Sequence, residues 1–218
     1  MDYSKRINEI RNVIPKNTKL IAVSKYVDEE EIQKVYACGV RDFAESKVQD
    51  AIRKKAKLKD LEDIKWHFVG HLQSNKIQRA LNTFDWIHSV HSLELLKRID
   101  SISAGIKVHP KLLMQVKLSE DPNKHGFEVS SLLNSLSFIN SLQNSNIEGL
   151  MTILPFGLSQ ETNLRLFRKL KTLRTEISNK SFKNLNMNEL SMGMSSDYRE
   201  AIEAGTTMIR LGRAIFMP

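Results

Sequence analysis

The chain has 218 residues, 41% hydrophobic and 27% charged, which suits a folded protein with a sizeable core and argues against disorder. Its single cysteine excludes an intrachain disulfide and a cluster of cysteine metal ligands. The 33 basic and 25 acidic residues give a formal charge of +8, which raises nucleic acid as one class of partner. Because no apolar run approaches ~20 residues and the N-terminus lacks the apolar segment of a secretory signal, we expect a soluble, cytoplasmic protein with no membrane partner.

The first elements in chain order are a helix, a strand and a second helix. The pattern predicts the first helix at about Tyr3–Val13 and the strand at "KLIAVSK", residues 19–25. The second helix begins with Asp28 as a plausible N-cap and Glu31 three residues on, as in a capping box, and stops near Gly39.

Seven more apolar runs alternate with helical segments down the chain. They are "VRDFAE", "KWHFVG", "DWIHSV", "KLLMQVKL", "IEGLMTI", "NELSMG" and "TMIRLG". Helices are predicted around Lys76–Leu81 and from Ser92 to about Ser103, with Ser92 as an N-cap and Gly105 after the end. The stretch "EDPNKHG", Glu120–Gly126, is predicted to be a turn-rich loop.

Eight short strands separated by helices indicate an α/β fold. Mostly apolar strands without alternation are typical of a parallel sheet covered on both faces, and eight βα units can close into a (β/α)8 TIM barrel. The alternative is an open doubly wound sheet, although no GxGxxG follows any strand. No linker-like stretch divides the sequence, so we expect one domain over residues 1–218.

Two stretches concentrate the basic residues, "RKKAKLK" at Arg53–Lys59 and "RLFRKLKTLR" at Arg165–Arg174. In the second, four apolar residues share one helical face: Leu166, Phe167, Leu170 and Leu173. The basic residues then lie on the solvated face, and no aromatic residues alternate with them as in a surface that stacks bases. Nucleic-acid binding is therefore the minority hypothesis.

In a parallel barrel, functional side chains gather at the C-terminal ends of the strands. Lys25 holds this position after the first strand, where an ordinary solvated lysine is the simpler interpretation. The other residues at such ends are Glu45, Ser46, His71, Gln73, Met151, Thr152, the stretch Ser191–Asp197, Arg210, Gly212 and Arg213.

The loops after the last two strands contain residues compatible with phosphate. In "SMGMSSD", Ser195 and Ser196 precede a helix, whose first N–H groups attract anions; ordinary capping is the alternative. In "IRLGRAIF", Gly212 and the Arg213 amide lie just beyond the strand, and paired loops of this kind bind phosphate in many barrels. Arg210 points inward, either into a salt bridge or toward a ligand acceptor.

A phosphate site, an arginine and a lysine at one barrel end would suit pyridoxal 5′-phosphate (PLP), which has a phosphate, a ring nitrogen and an aldehyde. A partly desolvated lysine near cationic groups can form a Schiff base with such an aldehyde.

The chain resembles the YggS/PROSC family of PLP-binding, PLP homeostasis proteins, which are similar to the barrel domain of alanine racemase without its second domain. The resemblance rests on "AVSKY", "FAESKVQDA", "WHFVGHLQSNK", "IHSVHSLEL", "EGLMTI" and "LSMGMSSDYREAIEAGTTMIRLGRAIF". It implies a Schiff base on Lys25, phosphate contacts from Ser195, Ser196, Gly212 and the Arg213 amide, and Arg210 facing the pyridine nitrogen.

The sequence departs from the family pattern at three places. Ser46 in "FAES" replaces a usual asparagine near the cofactor, Lys117 stands where asparagine is common, and Met217–Pro218 follows Phe216 where a glycine is usual. These changes leave the lysine, the phosphate loops and Arg210 in place.

The resemblance implies a cofactor carrier or regulator in PLP and vitamin B6 homeostasis with little or no catalysis. PLP-dependent enzymes would be possible cofactor recipients, and a monomer is expected. The alternative is a PLP-dependent amino-acid racemase of weak or specialised activity, with Lys25 as one base and Tyr26 or His71 as the acid/base on the other face. Helical ligand spacing fails at His67 and His71, so we predict no metal site.

Overall fold

The computed structural model describes residues 2–106, 109–119 and 125–217. Its strands are β1 Lys19–Val23, β2 Asp42–Glu45, β3 Lys65–Phe68, β4 Trp86–Val90, β5 Lys111–Lys117, β6 Phe127–Glu128, β7 Asn146–Met151, β8 Leu185–Ser191 and β9 Met208–Leu211. Its α-helices are α1 Tyr3–Val13, α2 Glu29–Ala37, α3 Val48–Lys57, α4 Ile77–Thr83, α5 Leu93–Ser103, α6 Val129–Ser141, α7 Gln160–Ser178, α8 Tyr198–Ala204 and α9 Arg213–Phe216. A 3-10 turn, Ser74–Lys76, precedes α4.

Eight of these strands form a closed parallel barrel in the order β1-β2-β3-β4-β5-β7-β8-β9. The ring closes because Ile21 of β1 pairs with Asp42 of β2 on one side and with Arg210 of β9 on the other. The predicted (β/α)8 TIM barrel is therefore confirmed, and the open doubly wound sheet is wrong.

The two-residue strand β6 was not predicted; it pairs with the end of β5 outside the ring. Of the predicted loop Glu120–Gly126, residues 120–124 lie outside the described residues.

Local capping explains where several helices begin and end. The Asp28 side chain accepts a hydrogen bond from the Glu31 amide at 2.9 Å, as predicted. Glu31 does not complete a capping box, because its carboxylate accepts from the Tyr3 hydroxyl. Ser92 caps α5 in the same way as Asp28 caps α2, and Gly39 ends α2 with a positive φ of 84°.

The apolar face predicted for the long basic helix is present in α7. All four of its predicted apolar residues are buried, whereas Arg165, Arg168 and Lys169 are exposed to solvent. Within the described ranges, no helix combines the length and the apolar character needed to cross a membrane.

The core has two layers separated by the barrel wall. The larger layer lies between the strands and the helices. A smaller apolar cluster takes one residue from each of six of the eight barrel strands: Ile21, Ala44, Trp86, Leu113, Met151 and Met208. Because this inner cluster is small, part of the barrel interior is filled by polar side chains, and these lead toward the candidate site.

Candidate functional site

A cavity of about 270 Å³ opens at the C-terminal end of the barrel between the segments that follow β1, β7, β8 and β9. We call it the Lys25 cavity. All six predicted site residues line it: Lys25, Ser195, Ser196, Arg210, Gly212 and Arg213. Val23, Leu154, Pro155, Phe156, Met194 and Asp197 complete the lining. Residues far apart in the sequence thus meet in one place, as parallel closure of the barrel requires.

Lys25 lies in the turn directly after β1, and its side chain is exposed. The Nζ atom lies 4.8 Å from the centroid of the Tyr26 ring, which is itself 81% exposed. The expectation of a partly desolvated lysine is therefore wrong for this conformation. The amine is accessible at the rim of the cavity.

A buried ion pair supports the turn from below. Lys54 on α3 donates to the Glu45 carboxylate at 2.7 Å and to the Ser24 carbonyl at 2.7 Å. The Ser24 hydroxyl donates to the same carboxylate oxygen at 2.6 Å. Since Ser24 precedes Lys25, this network fixes the backbone from which the Lys25 side chain projects.

The loop after β8 makes its tight turn at Gly193, which has a φ of 95°. A Cβ there would lie 2.6 Å from the Ala201 Cβ, so only glycine fits. Asp197 accepts a hydrogen bond from the Met194 amide at 2.6 Å, and Ser195 accepts one from the Ala214 amide at 3.1 Å. The second bond joins the loop to α9, so the two loops form one wall of the cavity.

This arrangement bears on the capping interpretation of "SMGMSSD". The α8 N-terminus has no side-chain cap, because Asp197 turns back to its own loop and Ser195 bonds to α9. Helix capping at α8 is therefore not the role of these side chains. Helices α8 and α9 have only seven and four residues, so neither has a long helix dipole. An anion at this wall of the cavity would meet hydroxyls and nearby backbone N–H groups instead.

Arg210 is 97% buried beneath the cavity. Its Nη1 donates to the Ser191 hydroxyl at 2.5 Å and its Nη2 donates to the Thr152 carbonyl at 2.9 Å. Both of these hydrogen-bond partners are neutral, and the carboxylate of Asp197 is near enough to act on the guanidinium electrostatically. Burial lowers the pKa of Arg210 to about 10, against the opposing effect of Asp197, so the guanidinium stays charged at neutral pH.

From Arg210 a hydrogen-bonded chain, the buried relay, runs down the barrel interior through Ser191, His88, His67 and Asp42. Its steps measure 2.5, 2.8, 2.8 and 2.9 Å. The Asp42 carboxylate only accepts, so His67 Nε2 donates to it. With one N–H on each ring, His67 Nδ1 then accepts from His88 Nε2, and His88 Nδ1 accepts from the Ser191 hydroxyl. Ser191 in turn accepts from Arg210, which only donates.

The central histidine of the relay is held neutral, chiefly by burial. Burial lowers the pKa of His88 well below its ordinary 6.5, and His67, Arg210 and Lys19 add repulsion. Sequence reasoning placed His67 and His88 on strands but missed the relay. The apolar neighbours in "KWHFVG" and "DWIHSV" were a signal that each histidine is enclosed by the barrel.

The segments that follow β3, β4 and β5 form the other half of the barrel end. They contain the histidine cluster, which we define as His71, His91 and His125. Each residue offers one ring nitrogen to the cluster, and these three nitrogens lie within 4.8 Å of one another. Burial, chiefly, and neighbouring histidines lower the pKa of His71 and of His91. His71 lines a separate cavity and is not among the residues that line the Lys25 cavity. The sequence had suggested it as an acid/base group near the cofactor.

Among the departures from the family pattern, Ser46, Lys117 and Met217 lie outside the lining of the Lys25 cavity. Ser46 borders a separate cavity of about 390 Å³ that also contacts His71. Lys117 pairs with Glu128 at 3.4 Å. Arg6 on α1 donates to the carbonyls of Ile215 and Met217, whereas Pro218 lies outside the described residues.

Comparison with known proteins identifies the family of this chain. The family model described as "Alanine racemase, N-terminal domain" matches residues 3–218. A curated relative from Synechocystis sp., a pyridoxal phosphate homeostasis protein, is 44% identical over 96% of this chain and 95% of its own. Two solved structures of PipY from Synechococcus elongatus, without and with PLP bound, are 43% and 41% identical. Each covers 99% of this chain and 100% of its own, with TM-scores of 0.94 and 0.93.

The chain thus belongs to the alanine racemase N-terminal domain family and, within it, to the YggS/PROSC group of pyridoxal phosphate homeostasis proteins. The family resemblance proposed from the sequence motifs is confirmed.

Proposed function

We propose that this chain binds PLP in the Lys25 cavity and acts in intracellular PLP and vitamin B6 homeostasis, with little or no catalysis. The observation that supports it best is the convergence of Lys25, Arg210 and the Ser195–Ser196 turn on one cavity. A PipY structure at 41% identity has PLP bound, and the Synechocystis relative is named for PLP homeostasis.

The residues present fit the cofactor group by group. Ser195 and Ser196 offer hydroxyls, and Gly212 with the Arg213 amide offers close backbone approach, a donor set suited to a phosphate. Lys25 offers an accessible amine. The cavity volume of about 270 Å³ is near the lower end of ordinary small-ligand sites, roughly 300 Å³, as a compact ligand requires.

When bound, PLP supplies an aldehyde and an electron-withdrawing ring. We assign Lys25 as the residue whose amine condenses with the aldehyde to form a Schiff base, with release of water. The network of Ser24, Glu45 and Lys54 holds the start of the Lys25 turn.

The properties of Arg210 support the part of the proposal that expects little or no catalysis. Two of its five N–H donors are used by Ser191 and Thr152, so its plane is fixed, and its pKa of about 10 keeps it protonated. Facing the ring nitrogen, a charged guanidinium donates a hydrogen bond and disfavours protonation there. The ring then withdraws electrons weakly, which does not favour carbanion chemistry.

Titration of the apo chain with PLP, followed by absorbance, tests the proposal. We expect one equivalent of imine absorption in the wild type and in Lys47→Ala, which removes an exposed lysine after β2. Lys25→Ala should lack the imine signal. An unchanged signal in Lys25→Ala would refute the assignment of the lysine.

Exchange of the α-proton of L-alanine in D₂O, followed by NMR, separates carrier from racemase. The carrier proposal predicts no exchange above that of free PLP. Exchange that requires Lys25 would establish the racemase alternative instead.

The wider biological role is part of the same proposal. We propose a cytoplasmic monomer that delivers PLP to apo forms of PLP-dependent enzymes. Light scattering of the purified chain tests the monomer, and cell fractionation tests the location. Activation of an apo-enzyme by PLP-loaded chain, faster than by an equal concentration of free PLP, tests delivery.

A further inference from the structure

The histidine cluster brings together three loops of the barrel end. His71 follows β3, His91 follows β4, and His125 precedes β6. Their ring centroids are separated by 4.3, 4.7 and 5.2 Å, and one nitrogen of each lies within 4.8 Å of the other two. Four-coordinate Zn²⁺ with bonds of about 2.0–2.1 Å holds its nitrogens about 3.4 Å apart, so modest side-chain rotations close the set.

Two hydrogen bonds hold the cluster in a form suited to a ligand. His91 Nδ1 donates to the Ser89 carbonyl at 3.2 Å, which leaves the lone pair on Nε2. A backbone carbonyl on the second ring nitrogen is the usual way in which metal-binding histidines are oriented. Gln115 donates to the His125 carbonyl at 2.6 Å and so positions the third histidine.

The surroundings leave space beside the rings. His71, His91, His125 and Gln115 line a cavity of about 200 Å³, with Val69, Gly70 and Ile153 as its other residues. His91 is half-buried, whereas His71 and His125 are exposed, so an ion and a water molecule can enter from solvent.

We propose that His71, His91 and His125 form a Zn²⁺ site with a water molecule in the fourth position. Imidazoles without a carboxylate favour zinc and similar transition metals over Mg²⁺ and Ca²⁺. Three protein ligands with one exchangeable position is an open type of zinc site. The proposal replaces the sequence-based prediction of no metal, which considered helical spacing and not the meeting of three loops.

Calorimetric titration of the untagged, PLP-free chain with ZnCl₂ alone tests the site. We expect one Zn²⁺ per chain in the wild type and in His109→Ala, which removes an exposed histidine outside the cluster. His91→Ala and His125→Ala should each weaken binding by more than the ~10–100-fold that loss of an outer-shell partner costs.

A second readout keeps the test independent of folding. Co²⁺ added in place of Zn²⁺ should give the visible absorption of a four-coordinate ion in the wild type, and His125→Ala, at an exposed position, should lose it. Absence of stoichiometric Zn²⁺ binding, or binding unchanged in both His91→Ala and His125→Ala, would overturn the proposal.

Discussion

The two halves of the barrel end differ in the chemistry they present. The half around β8, β9 and β1 presents hydroxyls, glycine backbone, a buried guanidinium and an accessible amine. The half after β3, β4 and β5 presents three imidazoles and a glutamine amide. Donor groups of the first kind suit an anion with a carbonyl, whereas neutral imidazole nitrogens suit a metal cation.

The halves also differ in how they are supported. The first rests on buried groups, namely the Lys54–Glu45 pair and the relay from Arg210 to Asp42. The second rests on single hydrogen bonds, from His91 to the Ser89 carbonyl and from Gln115 to the His125 carbonyl. Because the first half is supported by buried groups and the second by loop contacts, substitutions should affect the halves separately.

The largest expected effect comes from removing the support beneath Lys25. Lys54→Met leaves the Glu45 carboxylate buried and unpaired, and one of its oxygens already lacks a partner in the described residues. We expect a loss of about 3–5 kcal/mol in the free energy of unfolding, measured by urea denaturation.

Lys57→Met is the matched control on the same helix. Lys57 pairs at 3.4 Å with Glu29 near the surface, so this substitution should cost less than about 1 kcal/mol. Equal losses in the two variants would contradict the account of the buried support.

The next effect concerns the affinity for PLP. Arg210→Met removes the one charge-assisted hydrogen bond proposed to the ring nitrogen, worth about 1.5–3 kcal/mol, so PLP affinity should fall by roughly 10–150-fold in an equilibrium titration. Arg199→Met, at an exposed arginine on α8, should bind PLP normally. Zn²⁺ binding should be unchanged in both variants, and its loss in Arg210→Met would mean that the halves are not independent.

The relay should be visible in the pH dependence of stability. The pKa of His88 is lowered in the folded state, so below its ordinary value of 6.5 the unfolded chain takes up a proton that the folded chain does not. His88 therefore contributes a loss of stability as the pH falls below 6.5, by up to about 1.4 kcal/mol per pH unit.

Urea denaturation of wild type and His88→Gln between pH 7.5 and about 5 isolates that contribution. The variant should lose less stability on acidification than the wild type, whatever its stability at pH 7.5. Parallel curves for the two proteins would show that His88 is not held neutral in the folded protein.

The smallest expected effect on stability is at Lys25 itself. Because its side chain is exposed, Lys25→Ala should change the free energy of unfolding by no more than about 0.5 kcal/mol. Thermal denaturation of the PLP-free proteins checks this. A large loss would indicate a structural role for the lysine and would weaken its assignment to the cofactor.

The sequence pattern was sufficient to predict the barrel and to predict that six residues meet at one end of it. The reason is physical: parallel strands all end on one side, so the residue after each strand is placed without knowledge of packing. Lys25 and Arg213 are located by that rule alone.

Contacts across the barrel were beyond the reach of the same reasoning. The hydrogen bond from His88 to His67 depends on the stagger between β3 and β4, where His67 pairs with Trp86. Lys54 reaches Glu45 and Ser24 from the basic stretch Arg53–Lys59, whose residue types do not distinguish a buried lysine from an exposed one. The histidine cluster depends on three loop conformations, which no periodicity specifies.

The most direct test of the central claim is covalent. The chain is mixed with PLP and reduced with borohydride, which converts an imine to a stable amine, and the modified peptide is mapped by mass spectrometry. One pyridoxyl group on Lys25 is the predicted result. No label, or label spread over other exposed lysines such as Lys47, would contradict the assignment of the Lys25 cavity to PLP.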